Sequence, residues 1–263
     1  MPLVLSVVSA AGRILSERRG EDETWLVHRP TYEDGDSLVI ESSETNQFVL
    51  IQMDDAMEPA LLFLKDKRFE LPIPFDGRRA AHSPRAFAGE MHRLHARKAL
   101  PAEIAARRNL AFNPYDHHDN TSLFPHAEAN VETRGEAGFA ARNAIDGQKA
   151  NDDHGSWPYT SWGINQDPDA ELTLRFGRPV AIDEVVLYLR ADFPHDAWWR
   201  RATLGFSDGS DLGADLSKTG EAQRIAFSPK TVEWLSLGKL IKADDPSPFP
   251  ALTQIECWGR EAA

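Results

Sequence analysis

Short apolar runs, each closed by Gly, Asp or Asn, fill the first 75 residues. Leu3-Val-Leu-Ser-Val-Val, Glu23-Thr-Trp-Leu-Val-His and Ser37-Leu-Val-Ile-Glu are the first three. Phe48-Val-Leu-Ile-Gln-Met, Glu58-Pro-Ala-Leu-Leu-Phe-Leu and Phe69-Glu-Leu-Pro-Ile-Pro complete the set. Runs of this length bounded by turn residues predict an antiparallel sheet or small sandwich over 1–75. Pro72 and Pro74 suit a strand end or an edge, because proline cannot donate to a ladder.

The pattern changes over 76–108. Ser83-Pro84 has the form of a helix start, and Phe87, Met91 and Leu94 then recur at helical spacing. Pro101 stops that helix and opens a second, Pro101 to Arg108. A short helical connector is expected here, with His92 and His95 three apart upon it. Arg93, Arg97, Lys98, Arg107 and Arg108 collect in the same stretch. They read either as an anion or glycan contact or as a solvated face beside an acidic body. From 109 to 263 the pattern returns to β with long polar loops.

Several of those loops carry chemistry. Asn113-Pro-Tyr-Asp-His-His-Asp-Asn reads as a metal or sugar site centred on His117 and His118, or as a loop stitched by Asx turns. In Pro125–Glu136 the polar residues His126, Glu128, Asn130, Glu132 and Arg134 alternate with Ala127, Ala129, Val131 and Thr133. On a strand they form one row, either facing a ligand or as a charged outer face. His154-Gly-Ser-Trp-Pro-Tyr brings His154, Trp157 and Tyr159 together; aromatic faces stack on the C–H faces of sugars. Asp192-Phe-Pro-His-Asp-Ala-Trp-Trp ends a predicted strand, and offers Asp192, His195 and Asp196 to ligand hydroxyls. One of Trp198 and Trp199 is expected in the core and the other as a sugar platform. This segment and His117–His126 are expected to meet at one end of the fold.

One order of motifs resembles a known family. Asn143-Ala-Ile-Asp-Gly is followed by Trp157 and Ser161-Trp-Gly, then Ala170-Glu-Leu-Thr-Leu-Arg-Phe-Gly, then Ile182-Asp-Glu-Val-Val-Leu-Tyr-Leu-Arg. This resembles the discoidin, or coagulation-factor type C, domains of the galactose-binding-like superfamily. The resemblance implies a jelly-roll sandwich over 109–263 that binds glycans with its loops. It also implies a structural calcium at Asp146, with Asn151 or Asp152 and Glu256 completing an oxygen shell.

Composition narrows the choice. The chain has 263 residues, 41% hydrophobic and 27% charged, with net charge −12. That balance excludes nucleic acid or an anionic membrane as the main partner, since both call for clustered cations. Cys257 is the one cysteine, so no disulfide closes within the chain. The opening run lacks a basic n-region and reads as a strand, which places the protein in the cytoplasm. No phosphate loop, dinucleotide fingerprint, nucleophile elbow or zinc-finger spacing occurs. Three readings follow for a mainly β chain. The first is a carbohydrate-binding protein. The second is a sugar- or uronic-acid-active lyase or hydrolase using His195, Asp192 and His126. The third is a protein-interaction module.

Overall fold

The computed structural model describes residues 2–190 and 197–262. The N-terminal unit holds β1 (Leu3–Val8), β2 (Ile14–Gly20), β3 (Glu23–His28), β4 (Ser37–Ser42), β5 (Gln47–Gln52), β6 (Ala60–Leu64), β7 (Arg68–Pro72) and β8 (His92–Lys98). The C-terminal part holds β9 (Arg108–Asn109), β10 (Leu123–Phe124), β11 (His126–Ala129), β12 (Trp162–Gly163) and β13 (Leu172–Leu189). It closes with β14 (Trp199–Phe206), β15 (Asp211–Asp215), β16 (Gln223–Lys242) and β17 (Ala251–Glu261). The protein is mainly β, as the alternation of its sequence predicts.

In the N-terminal unit a sheet ordered β2-β1-β4-β7 faces one ordered β10-β6-β5-β8-β3. Leu5, Ile40, Ile51, Leu62, Phe69 and Leu94 meet between them in one core. Period-two burial sets the faces: in β3, Thr24, Leu26 and His28 turn inward while Trp25 and Val27 stay exposed. The C-terminal sheet runs β12-β17-β13-β16-β14-β15, with β11 added to β13 and β9 to β17. The first half of β13 pairs β11 and its second half pairs β17, across a register break between Arg175 and Val180. Trp162, Phe176, Val185, Trp199, Leu235 and Ile255 fill that core.

The helix expected after Ser83-Pro84 is not formed. His92–Lys98 is a strand between β3 and β5. Ser83 opens only a turn, and Phe87 (φ 57°) and Gly89 (φ 93°) then take left-handed backbone that a helix cannot hold. The spacing of Phe87, Met91 and Leu94 is coincidental: Met91 is 61% exposed, whereas His92, Leu94 and Ala96 bury at period two. His92 and His95 therefore lie on opposite faces. His92 packs against the Tyr32 ring at a tilt, and His95 stacks on Trp25 while bonding Glu23. The second helix exists as one short turn, Pro101–Ala105. Four of the five basic residues of this stretch are taken up by acidic neighbours, Arg97 by Glu103, Lys98 by Asp22, Arg107 by Asp183 and Glu184 and Arg108 by Glu261, while Arg93 donates to Gln52 and lies over the Trp25 ring. They form a solvated, ion-paired face.

The chain crosses between the units at Pro125. Leu123 and Phe124 pair β6 of the first unit, and His126 begins the pairing with β13 of the second. This crossing sets the functional geometry, because it lays 116–126 along the seam. Among the described residues no helix is long and apolar enough to cross a membrane.

Candidate functional site

Two depressions gather the polar residues singled out in the sequence. The larger is an open cleft of about 1390 Å³ between the units. One wall is the 3₁₀ segment Asp76–Ala81 with the end of β7; the other is β11 and the turns that follow it. His117, His118, His126, Glu128, Asn130 and Glu132 all line it. The strand that would carry the expected row ends at Ala129, and Ala127 and Ala129 line the same wall. The row fails at Arg134, which sits in a 3₁₀ turn at φ 53° and grips Glu136 through Nε and Nη2.

The floor of the cleft is an Asp–His pair. Asp116, 1% exposed, accepts from His126 Nδ1 (2.8 Å) and Asn120 Nδ2 (2.7 Å) on one oxygen. Its other oxygen accepts the Ala127 N–H at 2.8 Å. With the carboxylate so occupied, Nδ1 carries the proton, and Nε2 has no protein partner among the described residues. Burial pulls the His126 pKa down, but the bond and charge of Asp116 outweigh it and raise the value above the ordinary 6.5. Burial lowers His117, whose Nε2 bonds the Glu70 carbonyl at 3.0 Å. Burial, helped by Arg142 and Arg79, holds His82 well below the usual range.

Arg142 staples the seam. Its Nε donates to the Asp116 carbonyl (2.8 Å) and its Nη2 to that of Pro114 (2.9 Å). Its Nη1 reaches Ala81 O on the opposite wall at 3.5 Å. The Trp157 N–H adds a second tie to Ala80 O. Asn113 and Asn120 are spent on stitching their own loop to Leu123 and Pro125. Asn130 is spent likewise, between Asp169 O and Glu171 N.

The smaller depression, about 140 Å³, opens at the end of the C-terminal unit. Its lining combines Phe139 and Phe249 with Arg134, His154, Asn165, Gln166 and Arg190. Asn165 (φ 49°) and Gln166 (φ 61°) are consecutive left-handed residues, a strained backbone that persists only where its surroundings hold it. The Asn165 N–H bonds Thr133 Oγ1, and Arg190 Nη2 bonds Phe249 O. Arg134 lies over the Phe139 ring.

The remaining candidates fall elsewhere. Trp199 is 1% exposed and packs 6.4 Å from Trp162 in the core, so it cannot act as a sugar platform. Trp198 is half-buried against the same core. Trp157 and Tyr159 are half-buried and line neither depression. Asp192, His195 and Asp196 lie outside the described residues, as does their expected meeting with His117–His126. Asp116 belongs to the loop read as a metal or sugar site, whereas Phe139, Arg142, Arg190 and Phe249 were not foreseen as site residues. The one local signal for Arg142 is a lone cation in the small-residue stretch Ala140–Ile145.

The residues expected to hold calcium do not fit that ion as one donor set. Asp146 Oδ1 accepts from Gln254 Nε2 (2.8 Å) and the Gln148 N–H (2.9 Å), while Oδ2 faces Arg142 Nη1 at 4.0 Å. Gln254 Nε2 also donates to Asn143 O. An amide and a guanidinium thus meet the carboxylate where a cation would stand. Asn151 donates to Leu189 O and Gly220 O, Asp152 is exposed, and Glu256 pairs with Lys149 and Trp258. Burial pushes the Asp146 carboxyl up to about 6, against the pull of Arg142, the Gln148 N–H, Gln254 and Thr160.

A family model described as "Domain of unknown function (DUF7402)" matches residues 123–242. No curated protein matches the chain. Among solved structures it is similar to chitosan-binding module 1 of a chitosanase/glucanase from Paenibacillus sp. IK-5, at 20% identity and TM-score 0.41, over 58% of this chain and 99% of that one. It is similar to the family 32 carbohydrate-binding module of Clostridium perfringens NanJ, in complex with galactose, at 15% identity and TM-score 0.39, over 50% and 91%. A third is the lectin domain of lectinolysin, complexed with Lewis B antigen, at 17% identity and TM-score 0.42, over 59% and 98%.

Proposed function

We propose that this chain binds carbohydrate, and that the end pocket receives one ring of a neutral glycan. The observation that carries the reading is the lining of that pocket. Phe249 offers apolar ring surface for a sugar's C–H face, the edge of the buried Phe139 under Arg134 closes the back of the pocket, and His154, Asn165 and Gln166 offer donors and acceptors for its hydroxyls. Its 140 Å³ falls below the ~300–1,000 Å³ of pockets that hold drug-sized ligands, which suits a single small ring. The order of motifs that resembles discoidin domains supports the same reading.

The test is a glycan array of neutral mono- and oligosaccharides probed with the full chain and with Phe249→Ala and His154→Ala. Phe249 is 37% exposed and outside both cores, and the melting temperature of Phe249→Ala checks that its fold is kept. Its loss is expected to weaken binding by about 1–2 kcal/mol through lost stacking. His154→Ala is expected to cost about 1 kcal/mol, one hydrogen bond's net worth. Binding that is unchanged in both variants removes the pocket from the reading.

The Asp116–His126 pair favours a second reading, a sugar-active enzyme. A carboxylate that fixes the tautomer and leaves Nε2 facing a cleft is the arrangement of a general base. Turnover of any glycan on the array, abolished by His126→Gln, would establish it.

A further inference from the structure

The two depressions share a wall. Phe139 lines both. Thr133 and Arg134 of one turn face the end pocket, while Glu132, Gly135 and Glu136 beside them face the cleft. His154 lines the pocket, and Gly155 and Ser156, next in sequence, line the cleft. The ridge between them is thin. A Cβ on Gly138 would lie 2.2 Å from the Gly155 carbonyl oxygen, so the two loops that make the ridge touch backbone to backbone.

A single ring leaves the cleft unexplained, since the cleft is about ten times the volume of the pocket. The geometry points to one elongated ligand: a neutral oligosaccharide whose terminal ring sits in the end pocket and whose following rings cross the Phe139 ridge into the cleft between the two units. This rests on the end pocket being a sugar site.

The chemistry of the cleft selects the ligand's charge. Seven carboxylates line it against two guanidiniums. Both guanidiniums are committed, Arg78 to Asp34 and Arg142 to backbone carbonyls; of the carboxylates Glu128 is paired with Arg175, Glu136 with Arg134 and Asp116 with His126, which leaves Asp76, Asp119, Glu132 and Glu171 as the acidic excess. A uronate, sialate or sulfated chain would meet mostly like charge. Hydroxyls find His126 Nε2, exposed His118, and the Glu132 oxygen left over when Oε1 accepts the Ala141 N–H. Pro72, Pro74, Phe75, Ala129 and Ala137 give apolar strips for the C–H faces.

Calorimetry on the full chain tests the extension. The probes are glucose, galactose and mannose, each with its β-linked di-, tri- and tetrasaccharide. Two variants accompany the wild type: His126→Ala, and Ser156→Trp, which plugs the cleft from an exposed position and keeps the test valid should the buried His126 be needed for folding. The expected result is an affinity rising at least tenfold from mono- to tetrasaccharide in one series. That gain is lost in Ser156→Trp and reduced in His126→Ala. Equal affinity at every length overturns the extension and leaves the end pocket standing. Tighter binding of tetragalacturonate than of the neutral tetrasaccharides also overturns it. No binding of any probe overturns both the extension and the pocket.

Discussion

Gln254 Nε2 donates to Asp146 Oδ1 over 2.8 Å, joining the last strand to the turn after Ala144. The same amide also donates to Asn143 O, and its oxygen accepts the Gly147 N–H. One side chain therefore closes the turn from three sides. A chelator is expected to leave the melting temperature unchanged, because an ion bound only to the native state would have raised it by mass action. Gln254→Ala is expected to destabilise by about 1–3 kcal/mol, since it strands buried polar groups. A chelator-sensitive wild type, read by differential scanning fluorimetry with elemental analysis, would show that a cation is bound after all.

Arg142 carries more than one role and should be costly to remove. Its side chain is 10% exposed, and it faces an Asp146 that is 4% exposed. Arg142→Ala leaves that carboxylate buried without its nearest cation and frees three carbonyls on the seam. Breaking a buried pair from one side typically costs about 3–5 kcal/mol. Asp146→Asn in the same background should recover part of the loss, because the uncompensated charge goes with it. Urea unfolding of the four members of the cycle measures the coupling; purely additive losses would mean that Arg142 acts only through its carbonyl bonds.

Asp146 also makes a pH prediction. Its folded pKa, about 6, lies above its unfolded value near 3.8. The folded state therefore holds the proton more tightly, and stability falls as pH rises from the lower value to the upper. Asp146→Asn should flatten this part of the stability profile between about pH 4 and 6. A wild-type and variant profile that run parallel there would contradict it.

Local patterns carried most of the fold. Period two in β3 and β7 was legible because each strand turns one face to a core. The Ala-Ile-Asp-Gly turn was legible because its chemistry is local: Gly147 takes φ 90° and the Gln148 N–H returns to Asp146. The segment from Ser83 to Ala99 was misread because Phe87, Met91 and Leu94 mimic a helical period, while the partners that make 92–98 a strand lie some 40 to 70 residues away in β5 and β3. The candidate site was half legible. His117, His118 and His126 could be singled out by type. The cleft they line could not, since its opposite wall is the segment around Asp76–Ala81. Gln254 acts only through partners distant in sequence, and Arg142 reaches Asp116, Pro114 and Ala81 across the seam with only its place as a lone cation among small residues to signal it.

The Asp116–His126 pair gives the last expectation. His126 has a folded pKa above its ordinary 6.5, so the stability it adds is fully present below about pH 6.5 and is lost as pH rises through the folded value. The groups that act on it are Asp116, Glu128 and Arg175, with His117 nearby. The whole-protein profile will not show this alone. His28, His82 and His117 all have lowered pKa values, so their contributions run the other way and are lost as pH falls. The difference between wild type and His126→Gln isolates the pair. That difference should be largest near pH 5.5 and shrink toward pH 8.5, measured as unfolding free energy in urea at constant ionic strength. Asp116→Asn should remove most of the pH dependence of the difference, because the carboxylate holds the proton on the ring. A difference that grows with pH would mean that burial, and not Asp116, governs His126. The ring would then present a neutral Nε2 to the cleft throughout the range.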